Sequence, residues 1–231
     1  MNINNIKEIK HFDKLYADWW DNNGPLKTLH AINPIRLNYI KKIVPLKNKV
    51  CLDIGCGGGI LSYSLAKNRA KVLGIDPSKN LIDIALQKSY KYKKNVCFLN
   101  TTLEEYVKEV NSKFDIIFCM ELIEHVKNPS DFIKTLKPLM KKDSLVFFST
   151  INRNFYSYLK TIFFAEYVLD IIPKGTHLLK NFVKPSELNN MMEKINCDLI
   201  DLQGFGYNPI TNKANFSKNI NCNYLACFAH K

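Results

Sequence analysis

From position 50 onward, short unbroken apolar runs alternate with stretches of helical period. Val50–Ile54, Lys71–Ile75 (ending at Asp76), Val96–Leu99, Phe114–Cys119 and Ser144–Ser149 read as strands, with helices expected over Ile60–Lys67, Leu81–Lys88 and Ser130–Leu139. Strands this short and this uniformly apolar are buried on both faces, which predicts a mostly parallel sheet covered by helices on each side. Upstream, residues 6–22 and 34–43 have helical character, joined by a turn at Asn22-Asn23-Gly24-Pro25 and closed by Pro45. After Thr150 the rhythm changes. Residues 155–172 form an apolar segment of helical length, Pro173-Lys174-Gly175-Thr176-His177 follow, and a helix near 185–194 precedes strand-like runs at Cys197–Leu202 and Tyr224–Ala229. The expected architecture is a doubly wound, Rossmann-like α/β fold with a seven-stranded, mostly parallel sheet and an antiparallel hairpin at one edge. It divides into a helical cap (1–45), a ligand-binding core (46–150), a helical insertion after the fifth strand (151–190) and C-terminal strands (191–231), all within one domain.

With 231 residues, the chain has room for one such domain and its core. Its net charge of +12 raises the question of a nucleic-acid or anionic-membrane partner. The charge is nearly all lysine, scattered, with arginine only at Arg36, Arg69 and Arg153. Nucleic-acid readers favour arginine for bidentate contacts, so no nucleic-acid partner is expected, and an anionic membrane is the better candidate. Seven widely spaced cysteines without a C-x-x-C pair argue against structural zinc and a disulfide framework. Residues 1–21 lack the apolar core of a signal peptide, and no uncharged stretch reaches the length of a bilayer span. A cytoplasmic protein, peripheral on the inner face of the cell membrane, is expected.

The first strand runs into Asp53-Ile54-Gly55-Cys56-Gly57-Gly58-Gly59, a glycine turn opening a helix. Such a turn binds a nucleotide at the carboxyl edge of the sheet. A dinucleotide fingerprint, G-x-G-x-x-G, would require glycine at position 60, where Ile60 stands. The pattern present is D-x-G-x-G-x-G. A pyrophosphate gains nothing from an acid two residues before the first glycine, whereas the cationic methionine portion of S-adenosylmethionine does. Asp76, ending the second strand, is placed to accept hydrogen bonds from both ribose hydroxyls. Asp53, Gly55, Gly57 and Asp76 are therefore expected cofactor residues.

After the fourth strand comes Met120-Glu121-Leu122-Ile123-Glu124-His125. It lacks the Asn/Asp-Pro-Pro-aromatic motif of adenine amino-methyltransferases, and the chain has no Pro-Cys nucleophile for cytosine. The target is expected to be an oxygen or carbon of a small molecule. Glu121, Glu124 and His125 would share one face of a helical turn, a credible donor set for a divalent ion such as Mg²⁺. The same spacing also occurs where such residues only order a loop, and both readings stay open. His125 is either a ligand or the general base; His30 and His177 are weaker candidates for the base.

The sequence resembles the ubiquinone-biosynthesis O-methyltransferases (2-polyprenyl-6-hydroxyphenol methylase and 3-demethylubiquinol 3-O-methyltransferase) from about Phe12 to the C-terminus. The likeness rests on Trp19-Trp20-Asp21, Leu29-His30, Asn33-Pro34-Ile35-Arg36, the glycine turn, Cys119-Met120-Glu121, Ser149-Thr150-Ile151-Asn152-Arg153, Ala165-Glu166-Tyr167, Pro173–His177 and Tyr207-Asn208-Pro209. Leu26 and Leu178-Leu179 depart from the family's usual residues, which bears on the shape of the substrate entrance. The resemblance implies cofactor contacts at Arg36, Gly55, Asp76 and Met120, and favours metal binding by Glu121, Glu124 and His125. It also implies methyl transfer to a phenolic hydroxyl of a prenylated phenol or quinol, with other enzymes of the pathway as candidate partners. Two rivals are an O-methyltransferase for a soluble phenol and a non-catalytic carrier of prenylated lipid. The segment 155–172, apolar nearly all round, is expected either to be buried or to dock on a membrane.

Overall fold

The computed structural model describes residues 18–88, 95–154 and 181–231. A first helix, α1 (Lys27–Ile43), leads into β1 (Val50–Ile54), α2 (Ile60–Lys67), β2 (Lys71–Asp76), α3 (Lys79–Lys88) and β3 (Val96–Asn100). Then come α4 (Leu103–Glu109), β4 (Phe114–Met120), a 3-10 turn at Ile123–His125, α5 (Pro129–Leu136) and β5 (Met140–Ile151). The chain closes with α6 (Pro185–Glu193), β6 (Cys197–Asn208), β7 (Lys213–Ser217) and β8 (Asn223–His230).

One sheet of order β3-β2-β1-β4-β5-β8-β6-β7 unites the strands. The first five are parallel, and β8, β6 and β7 add antiparallel. The fold class is as expected, but the sheet has eight strands where seven were predicted. The additional strand is β7, whose sequence Lys-Ala-Asn-Phe-Ser alternates polar and apolar. As an edge strand it lays only Ala214 and Phe216 on the core, so its apolar signal is weak.

Neighbouring residues of each central strand enter opposite cores, as a pleated strand requires. Ile117 and Cys119 of β4 join one cluster, with Leu103 and Tyr106 of α4, Phe132, Ile133 and Leu136 of α5, and Leu188 of α6. Ile116, Phe118 and Met120 join the other, with Tyr39 and Ile40 of α1 and Leu61 and Leu65 of α2.

Two helices differ from expectation. α1 begins at Lys27, seven residues before the expected start at position 34, and carries Pro34 inside it. Packing of Ile32, Arg36, Tyr39 and Ile40 along one buried stripe offsets the backbone bond that proline removes. α4 was not anticipated, although a capping box marks it. Thr102 Oγ1 accepts from the Glu105 N–H at 3.2 Å, and Glu105 Oε2 accepts from the Thr102 N–H at 3.0 Å. The segment 155–172, the Pro173–His177 loop and most of the expected helix 6–22 lie outside the described residues. Beyond residue 154 the described chain resumes at 181 and lies beside the carboxyl end of β5, where the Val183 N–H meets the Ile151 carbonyl at 3.3 Å.

Candidate active site

The sheet reverses its winding between β1 and β4, and a crevice opens at the carboxyl ends of those strands. A cavity of about 200 Å³ lies there, lined by Trp19, Leu29, Arg36, Asp53, Gly55, Cys56, Gly57, Ile60, Leu61, Asp76, Pro77, Ser78, Leu81, Met120, Glu121, Leu122 and His125. All six residues expected to contact the cofactor are among them.

Gly55, Gly57 and Gly59 have φ of +69°, +53° and +85°, so the turn needs glycine for its left-handed backbone before any ligand is considered. The turn hangs from β2 through the Gly55 and Cys56 N–H groups, which both donate to the Ile75 carbonyl, at 2.9 and 3.1 Å. Asp76 ties it further. Its Oδ2 accepts from the Gly57 N–H at 2.9 Å and its Oδ1 from the Ser78 N–H at 2.8 Å. Asp76 also lines the cavity, within which its carboxylate is the acceptor proposed for the ribose hydroxyls.

Asp53 is buried, and its Oδ2 accepts from Ser62 Oγ at 2.6 Å. Burial lifts its carboxyl to about 6, against the opposing pull of the Ser62 bond and the Arg36 charge. Arg36 is only 6% exposed on the buried stripe of α1. One guanidinium nitrogen lies 3.1 Å from Glu121 Oε1, but the pair is not aligned as a hydrogen bond. Its Nε and that same Nη2 have no acceptor. A buried arginine with donors unmet facing a cavity is a place for an anion.

Glu121 and Glu124 do not share a helical face. Glu121 follows β4 directly at φ +50°, held there by its own N–H on the Ser149 carbonyl at 2.8 Å, whereas Glu124 sits in the 3-10 turn. Ser149 Oγ donates to Glu121 Oε1, and Thr150 Oγ1 donates to Glu124 Oε2 at 2.8 Å. Glu124 is buried, and burial first, then the Glu121 charge, pushes its carboxyl up. Among the described residues no three His, Cys, Asp or Glu side chains are gathered as a metal ion would need. His125 borders the cavity. His30 does not. Its Nε2 lies 2.8 Å from the Trp19 carbonyl, which only accepts, so that nitrogen carries the proton and is not a base. His177 lies outside the described residues.

Ser62, Ser78, Ser149 and Thr150 escaped the sequence reading as site residues. The signal at Ser149-Thr150 was available: two hydroxyls at the carboxyl end of an otherwise apolar strand, where open α/β sheets bind ligands.

The methyltransferase-domain family model matches residues 30–202. The chain is 45% identical over 225 residues to the ubiquinone biosynthesis O-methyltransferase of Coxiella burnetii (strain RSA 331 / Henzerling II), covering 97% of this chain and 96% of that one. It is 42% identical to the protein of that name from Actinobacillus pleuropneumoniae serotype 7 (strain AP76), over 97% of this chain and 99% of that one. Among solved structures, the magnesium protoporphyrin IX methyltransferase of Synechocystis PCC 6803 with bound SAH superposes with a TM-score of 0.70 at 16% identity. That match covers 100% of this chain and 97% of the other, a likeness of fold.

Proposed function

Because the chain belongs to the ubiquinone-biosynthesis O-methyltransferase family, we propose that its cavity holds S-adenosylmethionine against a prenylated phenol whose hydroxyl takes the methyl group. Arg36 carries the reading. Its unmet donors receive the methionine carboxylate, Asp53 faces the cationic end, Asp76 takes the ribose hydroxyls, and Met120 packs on the adenine. The acceptors proposed are 2-polyprenyl-6-hydroxyphenol and 3-demethylubiquinol.

In the transfer, the phenol oxygen attacks the sulfonium methyl carbon. The C–O bond forms as the C–S bond breaks, sulfur keeps the electron pair, and S-adenosylhomocysteine leaves as a neutral thioether. His125, at the cavity edge, takes the phenol proton where it does not itself ligate a metal ion; the two roles are alternatives. Holding the oxygen in line with the methyl supplies much of the acceleration.

Glu121, Glu124 and His125 would hold a divalent ion, and Mg²⁺ or a similar ion suits their oxygen-rich donor set. Their chemistry fits, since Glu124 is buried with the like charge of Glu121 beside it, and a cation between them would relieve both. As placed they are not gathered, and Glu121 must first leave Arg36 and Ser149. Arg36 turning to the methionine carboxylate would release it. A bound ion would lower the acceptor phenol's pKa from about 10.

The test combines calorimetry with turnover of labelled S-adenosylmethionine on a short-chain prenyl catechol, with and without chelator. Asp76→Ala and Arg36→Ala should each weaken cofactor binding by about 2–4 kcal/mol, the scale of lost charge-assisted bonds at a buried site. Chelator should suppress turnover, Mg²⁺ should restore it, and cofactor affinity should stay the same throughout. Unchanged binding in both variants would sink the cofactor assignments. Full turnover in chelator would leave Glu121 and Glu124 as loop-ordering groups.

A further inference from the structure

Gly58 poses a question that its neighbours do not. Gly55, Gly57 and Gly59 need glycine for positive φ, but the Gly58 backbone is not left-handed. A Cβ there would lie 2.4 Å from Trp19 Cδ1 and 2.5 Å from Trp19 Nε1; one on Gly57 would lie 2.4 Å from Trp19 Cζ2. The indole therefore rests on the Gly57–Gly58 backbone, closer than any side chain there would permit. It also borders the cavity and is only 6% exposed.

Several contacts hold it in that place. Consecutive turns stiffen the approach to α1, with the Asp21 N–H on the Asp18 carbonyl at 3.0 Å, Gly24 on Asp21 at 3.2 Å and Lys27 on Gly24 at 3.1 Å. His30, in the first turn of α1, donates from Nε2 to the Trp19 carbonyl at 2.8 Å, and its ring lies 5.9 Å from that of Trp20. Trp19 packs with Leu26 and Leu81 in a small separate cluster that bridges the N-terminal segment and α3. The same helix, α1, thus carries both the tie to Trp19 and the Arg36 clamp.

We infer that Trp19 is a cofactor-positioning residue: its indole forms the outer wall of the cofactor cavity over Gly57–Gly58, and His30 holds it there through the Trp19 carbonyl. The inference rests on the S-adenosylmethionine reading of this cavity. A flat aromatic wall over a glycine turn presses the ligand toward Arg36 and Asp76 and shuts water out on that side. Gly58 is glycine to admit the indole.

Calorimetry on the full-length chain with S-adenosylmethionine and S-adenosylhomocysteine tests it, with Asp76→Ala as the control that must lose binding. Trp19→Ala should weaken both ligands about tenfold, and Trp19→Phe should recover most of the loss. His30→Ala should cost about threefold, and His30→Gln, which can still donate to the carbonyl, should restore it. Gly58→Ala should match Trp19→Ala by evicting the indole, and the double variant should be no worse than either, because the methyl then has room. With only two tryptophans in the chain, a Trp20→Phe protein reports on Trp19 alone. Its emission should shift on ligand addition with the calorimetric Kd. Trp19→Ala binding within twofold of wild type, additive losses in the double variant, or emission unmoved at saturation would each overturn the inference. Failure of the wild type to bind either ligand would overturn the cofactor reading itself, and this inference with it.

Discussion

Asp53 sits where a charge is costly, and its carboxyl is lifted to about 6 chiefly by burial, with Ser62 and Arg36 working against that rise. A carboxyl raised in the folded state favours folding while protonated. Its contribution is full below the ordinary value of 3.8 and is lost as pH climbs through about 6. Ligand binding runs the other way. The cationic end of S-adenosylmethionine prefers the ionised form, so below pH 6 binding must expel a proton. Wild-type affinity should fall by up to about tenfold per pH unit under pH 6, with proton release visible as buffer-dependent calorimetric heat. Asp53→Asn should flatten that profile and weaken binding at neutral pH, yet raise the Tm of the ligand-free protein there. A wild-type affinity that stays level down to about pH 5 would show that Asp53 does not meet the cation.

Among the elements, α4 isolates local energetics from the site. It packs Leu103 and Tyr106 into the core cluster on the sheet face opposite α1, and its N-terminus is closed by the Thr102–Glu105 capping box. Thr102→Ala removes one arm of the box and should destabilise the protein by about 1 kcal/mol in urea unfolding, with no change in cofactor affinity. Equal stability would mean that tertiary packing alone holds the helix. α1 is the contrasting case, with a proline inside it at Pro34 and Arg36 on its buried stripe. Its packing positions an arginine at the cavity that the helix could not otherwise afford to bury.

At the scale of the molecule, the cavity opens at the same sheet edge where β5 ends and Val183 lies beside it. Among the described residues no helix is long and apolar enough to cross a membrane. Contact with an anionic bilayer is proposed instead, from the apolar sequence of residues 155–172 and the lysines Lys160, Lys174, Lys180 and Lys184 around it. Each lysine near an anionic surface contributes about 1 kcal/mol. Lys184 is exposed beside that edge. The protein should float with anionic vesicles and much less with neutral ones, and Phe163→Asp/Phe164→Asp should abolish flotation. Equal flotation of wild type and variant, or none of the wild type, would remove the membrane from the picture.

The sequence alone determined the winding of the parallel core, because each central strand is a solid apolar run bounded by helical period. It also determined the cofactor class, because the acid before Gly55 and the isoleucine at position 60 separate it from a dinucleotide site through local spacing. Arg36 was legible through family resemblance, and a second signal was present: a charge on an otherwise apolar helical stripe. What only tertiary structure decided depends on groups far apart in sequence. The edge strand β7 exists because β6 offers it a partner, and its two apolar residues are too few to announce it. Glu121 and Glu124 are parted by a left-handed residue at a strand end, held by Ser149 and Thr150 from the neighbouring strand, and no helical spacing rule foresees that. Gly58 looks like one more glycine in a glycine turn. Its reason lies thirty-nine residues upstream, in the ring of Trp19, which chain topology alone brings against it.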